Sequence, residues 1–346
     1  MYNIIDYLKY YKDCSLEENH WNRIDNLLCA LLVYLPIKPF KKEKALLDFY
    51  NYAKEYDKPT KEILTPYCFQ ILEMIKDSKR YKNLKISNFD IILDEKTQFG
   101  AATFRVKNKT IVSFKGSDGA FIGWVENLRI IYEYPTYTQE LAITYLKRNI
   151  KFQDQNVFVV GHSKGGNLAM ASVMELPPRQ FKKIKKIYNF DGPGFREKEF
   201  TSEKFKKIEP ILENILPTGS LVGVLLNNTK YQVIKSKDIA INEHYPINWN
   251  IFGEFFVPGK LSMVSSNVHK STSIELAKLD NQKVKATVEA LFQIFDLNYD
   301  STFEINLTNI TKIIKFVRKI EPEFASYLTT LLLPRKVNKK EAKKDK

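Results

Sequence analysis

Residues 156–172, NVFVVGHSKGGNLAMAS, decide how the rest of this 346-residue chain is read. Val157 to Val160 is an apolar run with the length of a buried strand, and Gly165 to Met174 reads as a helix whose small residues Gly165, Ala169 and Ala171 allow close packing. Between them stands Gly161-His162-Ser163-Lys164-Gly165, a G-x-S-x-G pattern. A chain that turns from strand to helix within about four residues has no room for side chains two places before and two places after the serine. It also holds that serine strained, with Oγ exposed above the sheet. The helix that follows aims its positive dipole end, and the N–H of Lys164, at the same place. A phosphate-binding loop fits poorly, because the Walker spacing is absent and no suitable acidic residue completes a dinucleotide fingerprint. The plain alternative is a glycine-rich turn with a bystander serine.

Working outward, residues 1–84 read as helical. Ser15-Leu16-Glu17-Glu18 has the form of a capping box, and Ile24, Leu27, Leu28, Leu31 and Leu32 repeat at helical spacing up to Pro36. Further helices are expected over Lys42 to Tyr56 and Thr65 to Asp77, the latter with Pro66 in its first turn. Near residue 85 the pattern changes to short β-branched and aromatic runs: Ile86 to Leu93, Gly100 to Val106 and Thr110 to Phe114, the last two joined at Asn108-Lys109. Helix (Thr138 to Asn149), strand, helix, strand (Ile187 to Phe190) and helix (Ser202 to Leu212) then alternate. Leu221 to Leu226 and Tyr231 to Ile234 read as further strands, and 274–333 returns to helix. Alternation of this kind predicts an α/β fold, a mostly parallel sheet covered by helices on both faces. The expected organisation is a helical segment at 1–84 packed on an α/β core at 85–260, C-terminal helices at 261–334, and a basic, disordered tail at 335–346.

Hydrophobic residues make up 44% of the chain and aromatics 13%, enough to bury a sizeable core. No apolar run approaches the ~20 residues of a membrane span, and the first residues lack the pattern of an export signal. Three cysteines, Cys14, Cys29 and Cys68, form neither a disulfide framework nor a metal site, so a reducing cytoplasm is the expected location. The net charge of +14 admits peripheral contact with an anionic membrane. Much of that charge is diffuse, and no RNA-binding motif accompanies it, so a nucleic-acid partner is not expected.

A serine hydroxyl needs a base. Only four histidines exist, and only His244 and His269 follow Ser163. His244 lies in the polar loop INEHYPINW after the final expected strand, where a catalytic histidine belongs; His269, beside a lysine, is the second choice. The side chain of His162 is expected to turn away from the serine. For the acid, Asp191 ends a strand in IYNFDGPGF, and Asp238 is the rival, six residues before His244. A second oxyanion donor is expected after an earlier strand, and Ser117 in TIVSFKGSDGAFIGW supplies an accessible N–H beside that of Lys164. Residues Gly119 to Tyr137, rich in Phe, Ile, Trp and Tyr, read equally as a lid or as core.

Phe114-Lys115-Gly116-Ser117, Trp124 and Gly161-His162-Ser163-x-Gly165-Gly166 together resemble the class 3 lipases of the α/β-hydrolase superfamily. The chain is more closely similar to a bacterial lipase-3-like family that carries VGHSKGGNLA, YNFDGPGF, LVGVLL and a His-containing loop ending in Trp. The resemblance covers roughly residues 85–260. It implies a Ser-His-Asp hydrolase with Ser163 as nucleophile, His244 as base, and the Ser117 and Lys164 amides as oxyanion hole. Two departures stand out. Class 3 lipases usually have Leu at the place of Lys164 and Arg at that of Lys115, and their acid falls near the stretch matching LPTGSLVGV, which here holds Ser220 and no carboxylate. The expectation is a serine esterase acting on lipid-like acyl esters, with no metal or organic cofactor. Acyl transfer or thioester cleavage by the same three residues, and a non-catalytic protein that binds anionic lipid or RNA, are the alternatives.

Overall fold

The computed structural model describes residues 2–276, 278–295 and 307–333; the tail expected at 335–346 lies outside them. Four helices come first: α1 (Ile4–Tyr11), α2 (Arg23–Leu32), α3 (Leu46–Lys54) and α4 (Leu64–Ile75). Asn3 and Asp6 cap α1 reciprocally, and Asn22 and Asp25 do the same for α2. The Ser15–Glu18 pair forms both bonds of a capping box, but it closes a turn, and no helix starts there.

One eight-stranded sheet runs in the order β1 (Lys44–Ala45), β2 (Lys85–Leu93), β3 (Gln98–Val106), β4 (Lys109–Phe114), β5 (Asn156–His162), β6 (Ile184–Phe190), β7 (Leu212–Pro217) and β8 (Tyr231–Ile234). The first four are antiparallel, and β4 to β8 are parallel. Parallel neighbours need crossovers. These are supplied by α5 (Phe121–Arg129) and α6 (Tyr137–Asn149), then α7 (Lys164–Met174) and α8 (Pro178–Phe181), then α9 (Glu197–Phe200) and α10 (Glu203–Ile208). This is the expected α/β architecture, a mostly parallel sheet covered by helices on both faces. After it come a small hairpin, β9 (Ile251–Phe252) with β10 (Phe255–Phe256), and helices α11 (Met263–Leu276), α12 (Asn281–Phe295), α13 (Leu307–Ile320) and α14 (Pro322–Leu332). Among the described residues no helix is long and apolar enough to cross a membrane.

The alternation of side chains along each strand sorts the core into two layers. Phe104, Ile111, Val160 and Phe190 face α1 to α4, whereas Ala101, Val112, Val157 and Val159 face α6, α7 and α10. A third cluster joins α5 to the C-terminal helices through Phe121, Trp124, Val125 and Leu128 against Val284, Val288 and Leu291. The segment read as lid or core is therefore packed as core here.

Two strand readings need correction. The helix expected up to Leu212 ends at Ile208, and residues 212–217 form β7. Conversely, Leu221 to Leu226 is no strand. Its backbone serves other groups: Gly223 N–H bonds the Asp191 carboxylate, the Leu225 carbonyl takes Gly194 N–H, and Leu226 adopts a positive φ of 62°. An apolar run alone cannot distinguish a strand from a buried loop.

Candidate active site

Phe114 pairs with Gly161, and His162 with Phe190, so β4, β5 and β6 release their loops at one edge of the sheet. Parallel sheets place ligands at this carboxyl edge. The elbow follows from local collisions. A Cβ on Gly161 would strike the Gly165 carbonyl, and one on Gly165 would strike the Phe114 carbonyl. Both obstacles are backbone. Ser163 accepts the strain of that turn, with φ 58° and ψ −133°. It precedes α7 without capping it, which leaves the hydroxyl uncommitted to the helix. The residue is 8% exposed.

Asp191 stands at the end of β6, also at a positive φ of 53°. Its buried carboxylate accepts three hydrogen bonds. Oδ2 takes His244 Nδ1 at 2.6 Å, while Oδ1 takes Gly223 N at 3.1 Å and the Ser220 hydroxyl. A carboxylate can only accept, so Nδ1 carries the proton, and a neutral ring then offers a bare Nε2. Ser220, in the stretch LPTGSLVGV, thus binds the Asp191 carboxylate. Asp238 accepts Ile239 N–H and, at 3.5 Å, the Asn248 amide, and no bond joins it to His244. His269 donates through Nδ1 to the Val224 carbonyl and pairs with no carboxylate among the described residues. It lines a cavity of about 450 Å³ with Gly223, Val224, Leu226 and Lys230, to which neither Ser163 nor His244 contributes.

The strings NFDGPGF and GHSKGGNLA are physically one unit. Asn189 grips the turn after β6, accepting Gly192 N–H and donating to the Gly192 carbonyl. Asn167 on α7 donates to the Pro193 and Gly194 carbonyls. Asn167 is itself held by Gln139 at 2.7 Å. NFDGPGF and GHSKGGNLA thus lock the Asp191 turn against the elbow helix. A Cβ on Gly192 would strike the Ser163 carbonyl, which measures how closely the turns approach.

The bonds of His244 run to Asp191 and, through its carbonyl, to His162 Nε2 at 2.8 Å; none reaches Ser163. The rings of His162 and His244 lie 4.6 Å apart, centre to centre. His162, expected only to turn away from the serine, thus braces the His244 loop. Burial, and then the neighbouring His244, hold its pKa well below the usual histidine range, so this ring is neutral.

Ser117 turns its hydroxyl inward to the Gly123 carbonyl (3.1 Å) and Asn127 (3.2 Å). In the loop 115–119 the backbone N–H of Lys115 goes to Gly100, of Gly116 to Tyr34, of Asp118 to Gln98 and of Gly119 to Glu62. Among the described residues the Ser117 N–H has no such partner, and neither has the Lys164 N–H at the first position of α7.

The Lys164 side chain takes a path that no local pattern announces. At 1% exposure it runs inward to Glu126 Oε2 (2.5 Å) and the Gln98 carbonyl (2.7 Å). Glu126 on α5 also accepts Gln98 N–H, Thr97 Oγ1 and Thr138 Oγ1. A lysine in the place of leucine is tolerated because a buried carboxylate neutralises it. Lys115, the other departure, pairs with Asp118 at 2.8 Å. Within the basic run 182–186, Lys183 donates to the Lys151 and Phe152 carbonyls, and Lys186 pairs with Glu213 at 3.3 Å.

With this geometry in hand, comparison with known proteins adds the lineage. The model of a family described as Mbeg1-like matches residues 75–293, more than half of the chain. The chain belongs to the Mbeg1-like family. Among curated proteins none matches. Among solved structures the Mbeg1-like chain is similar to the Rhizomucor miehei lipase in its native propeptide complex, at 17% identity and a TM-score of 0.34, over 44% of this chain and 57% of that one. M37 lipase is similar at 14% identity and a TM-score of 0.39, over 60% and 70%. A fungal lipase in an inhibitor complex is similar at 15% and 0.35, over 48% and 68%. The chain thus spans only 57% of the length of the first of these. At TM-scores below 0.5 these likenesses carry no argument, and the Mbeg1-like site is read from its own atoms.

Proposed function

We infer that this Mbeg1-like protein is a cytoplasmic serine hydrolase that cleaves carboxylic esters of lipid-like acyl groups. Ser163 attacks the acyl carbonyl while His244 Nε2 takes its proton. Asp191 keeps the opposite nitrogen protonated and stabilises the imidazolium that forms. The negative oxygen of the tetrahedral intermediate is met by the Ser117 and Lys164 N–H groups, reinforced by the α7 dipole. His244 then protonates the leaving alcohol. Water, activated by the same nitrogen, attacks the acyl-enzyme and releases the acid. Every step uses side chains and backbone of this chain.

The observation that carries the reading is the 2.6 Å bond between His244 Nδ1 and Asp191 Oδ2, made beside a strained serine elbow by residues 53 positions apart. A turn that merely happened to contain serine would have no reason to gather a histidine on a buried carboxylate. The proposal requires Ser163 Oγ to meet His244 Nε2 in the substrate complex, as hydrogen bonds of this type often tighten only on substrate binding. The test is labelling with a fluorophosphonate, read by mass spectrometry of the Ser163 peptide, alongside an ester chain-length panel. Folded protein that leaves Ser163 unlabelled and turns over no ester in the panel would end the proposal.

A further inference from the structure

We propose that Tyr34 and His162 are positioning residues that tie the His244 loop and the Ser117 loop to one buried hydroxyl, making the N-terminal helical segment a working part of the active site. This rests on the reading of Ser163, His244 and the oxyanion amides given above. Tyr34 follows α2 directly, its N–H still bonded to Leu31. Its hydroxyl lies 3.0 Å from Gly116 N and 3.0 Å from His162 Nδ1. A Cβ on Gly116 would collide with that hydroxyl, so the backbone there is glycine to let Tyr34 in.

Donor and acceptor chemistry sets the order of protons along this chain. The His244 carbonyl can only accept, so His162 Nε2 donates to it. A neutral ring then has a bare Nδ1, which must accept from Tyr34. Burial pushes the Tyr34 phenol well above its usual range, so it keeps the proton it donates. Its remaining lone pair accepts from Gly116 N–H. The order Gly116 N–H, Tyr34 O–H, His162 and His244 C=O is continuous, and the second acceptor within reach of the Tyr34 hydroxyl, the His162 carbonyl at 3.4 Å, is more distant than Nδ1 at 3.0 Å. It ends at the residue whose Nε2 receives the proton of Ser163, and it begins one residue before the Ser117 amide. Displacing either end by about 1 Å is enough to cost a reaction of this kind on the order of a hundredfold. Glu62, from the same N-terminal segment, adds a second hold on this loop through Gly119 N at 2.7 Å.

The test compares wild type with Tyr34→Phe, His162→Gln and His162→Asn, with Ser163→Ala as the blank. The readouts are hydrolysis of p-nitrophenyl butyrate, normalised to sites titrated by a fluorophosphonate, and thermal melting. Tyr34→Phe is expected to lower kcat about tenfold or more with KM within about twofold. The amide nitrogen of Gln overlays Nε2 and preserves the bond to His244, so His162→Gln should retain more activity than His162→Asn, whose amide overlays Nδ1. A role confined to stability would lower the melting temperature and the titrated fraction, leaving kcat per titrated site unchanged and the Gln and Asn variants equal. Either of those results overturns the proposal, and the histidine pair decides the matter if Tyr34→Phe fails to fold. Unlabelled, inactive wild type would sink the hydrolase reading and the relay with it. Active wild type with unchanged variants would sink the relay alone.

Discussion

The sharpest consequence of the geometry concerns Asp191→Asn, a change that swaps one oxygen for an NH2 group and alters almost no volume. Which way the new amide faces is dictated by its surroundings. Gly223 N–H can only donate, and it sits 3.1 Å from Oδ1, where Ser220 also donates. An NH2 placed there would confront the N–H head on. The amide oxygen therefore keeps that side, and the NH2 is driven toward His244. Facing a donor, His244 Nδ1 must become the acceptor, so the ring proton moves to Nε2. In that tautomer the nitrogen meant to receive the proton of Ser163 already carries one. The analogous exchange in a Ser-His-Asp enzyme lowers kcat about 10⁴-fold, equivalent to about 5 kcal/mol of transition-state stabilisation. Folding should suffer far less, by about 1–2 kcal/mol, because the Oδ1 bonds survive. Steady-state hydrolysis of a soluble ester, with urea unfolding as the companion measurement, separates the two effects. Asp238→Asn is the control and should stay within about twofold, since that carboxylate does not reach His244. An Asp191→Asn protein within about tenfold of wild type would refute the assignment of roles.

Glu126→Ala strands a buried ammonium and should destabilise by about 3–5 kcal/mol in urea unfolding, whereas joining it to Lys164→Leu should recover most of that loss; a loss that stayed undiminished in the double variant would mean that the two groups are not coupled. Glu62 has its pKa raised, first by burial and then by Asp118. The folded state therefore holds that proton more tightly than the unfolded chain. Its stabilising contribution is present below the ordinary Glu range and is lost as pH rises through the folded value. Glu62→Gln keeps an oxygen for Gly119 N–H, so its melting temperature should match wild type near about pH 4 and exceed it at about pH 7–8. A variant less stable than wild type at the higher pH would show that the charge is favourable where it sits.

Short-range constraints made much of this protein legible from its sequence. Gly161 had to be glycine because a Cβ there would strike the carbonyl four residues on, and a strand, a five-residue turn and a helix are all visible within 17 letters; Gly165 is required by the Phe114 carbonyl of the neighbouring strand. The alternation of strands and helices followed from periodicity, and the scarcity of histidine narrowed the candidate bases to two. An apolar run without a period does not separate strand from loop: 212–217 is the strand and 221–226 the loop. Tertiary structure alone decided which carboxylate meets His244, what neutralises Lys164, and why Gly116 precedes Ser117. Those answers come from partners 53, 38 and 82 positions away. The collision at Gly161 lies within its own turn, so local sequence can demand a strained serine. A hydrogen bond between distant segments is set by how whole layers pack, and nothing in the letters around Tyr34 announces the histidine that it holds.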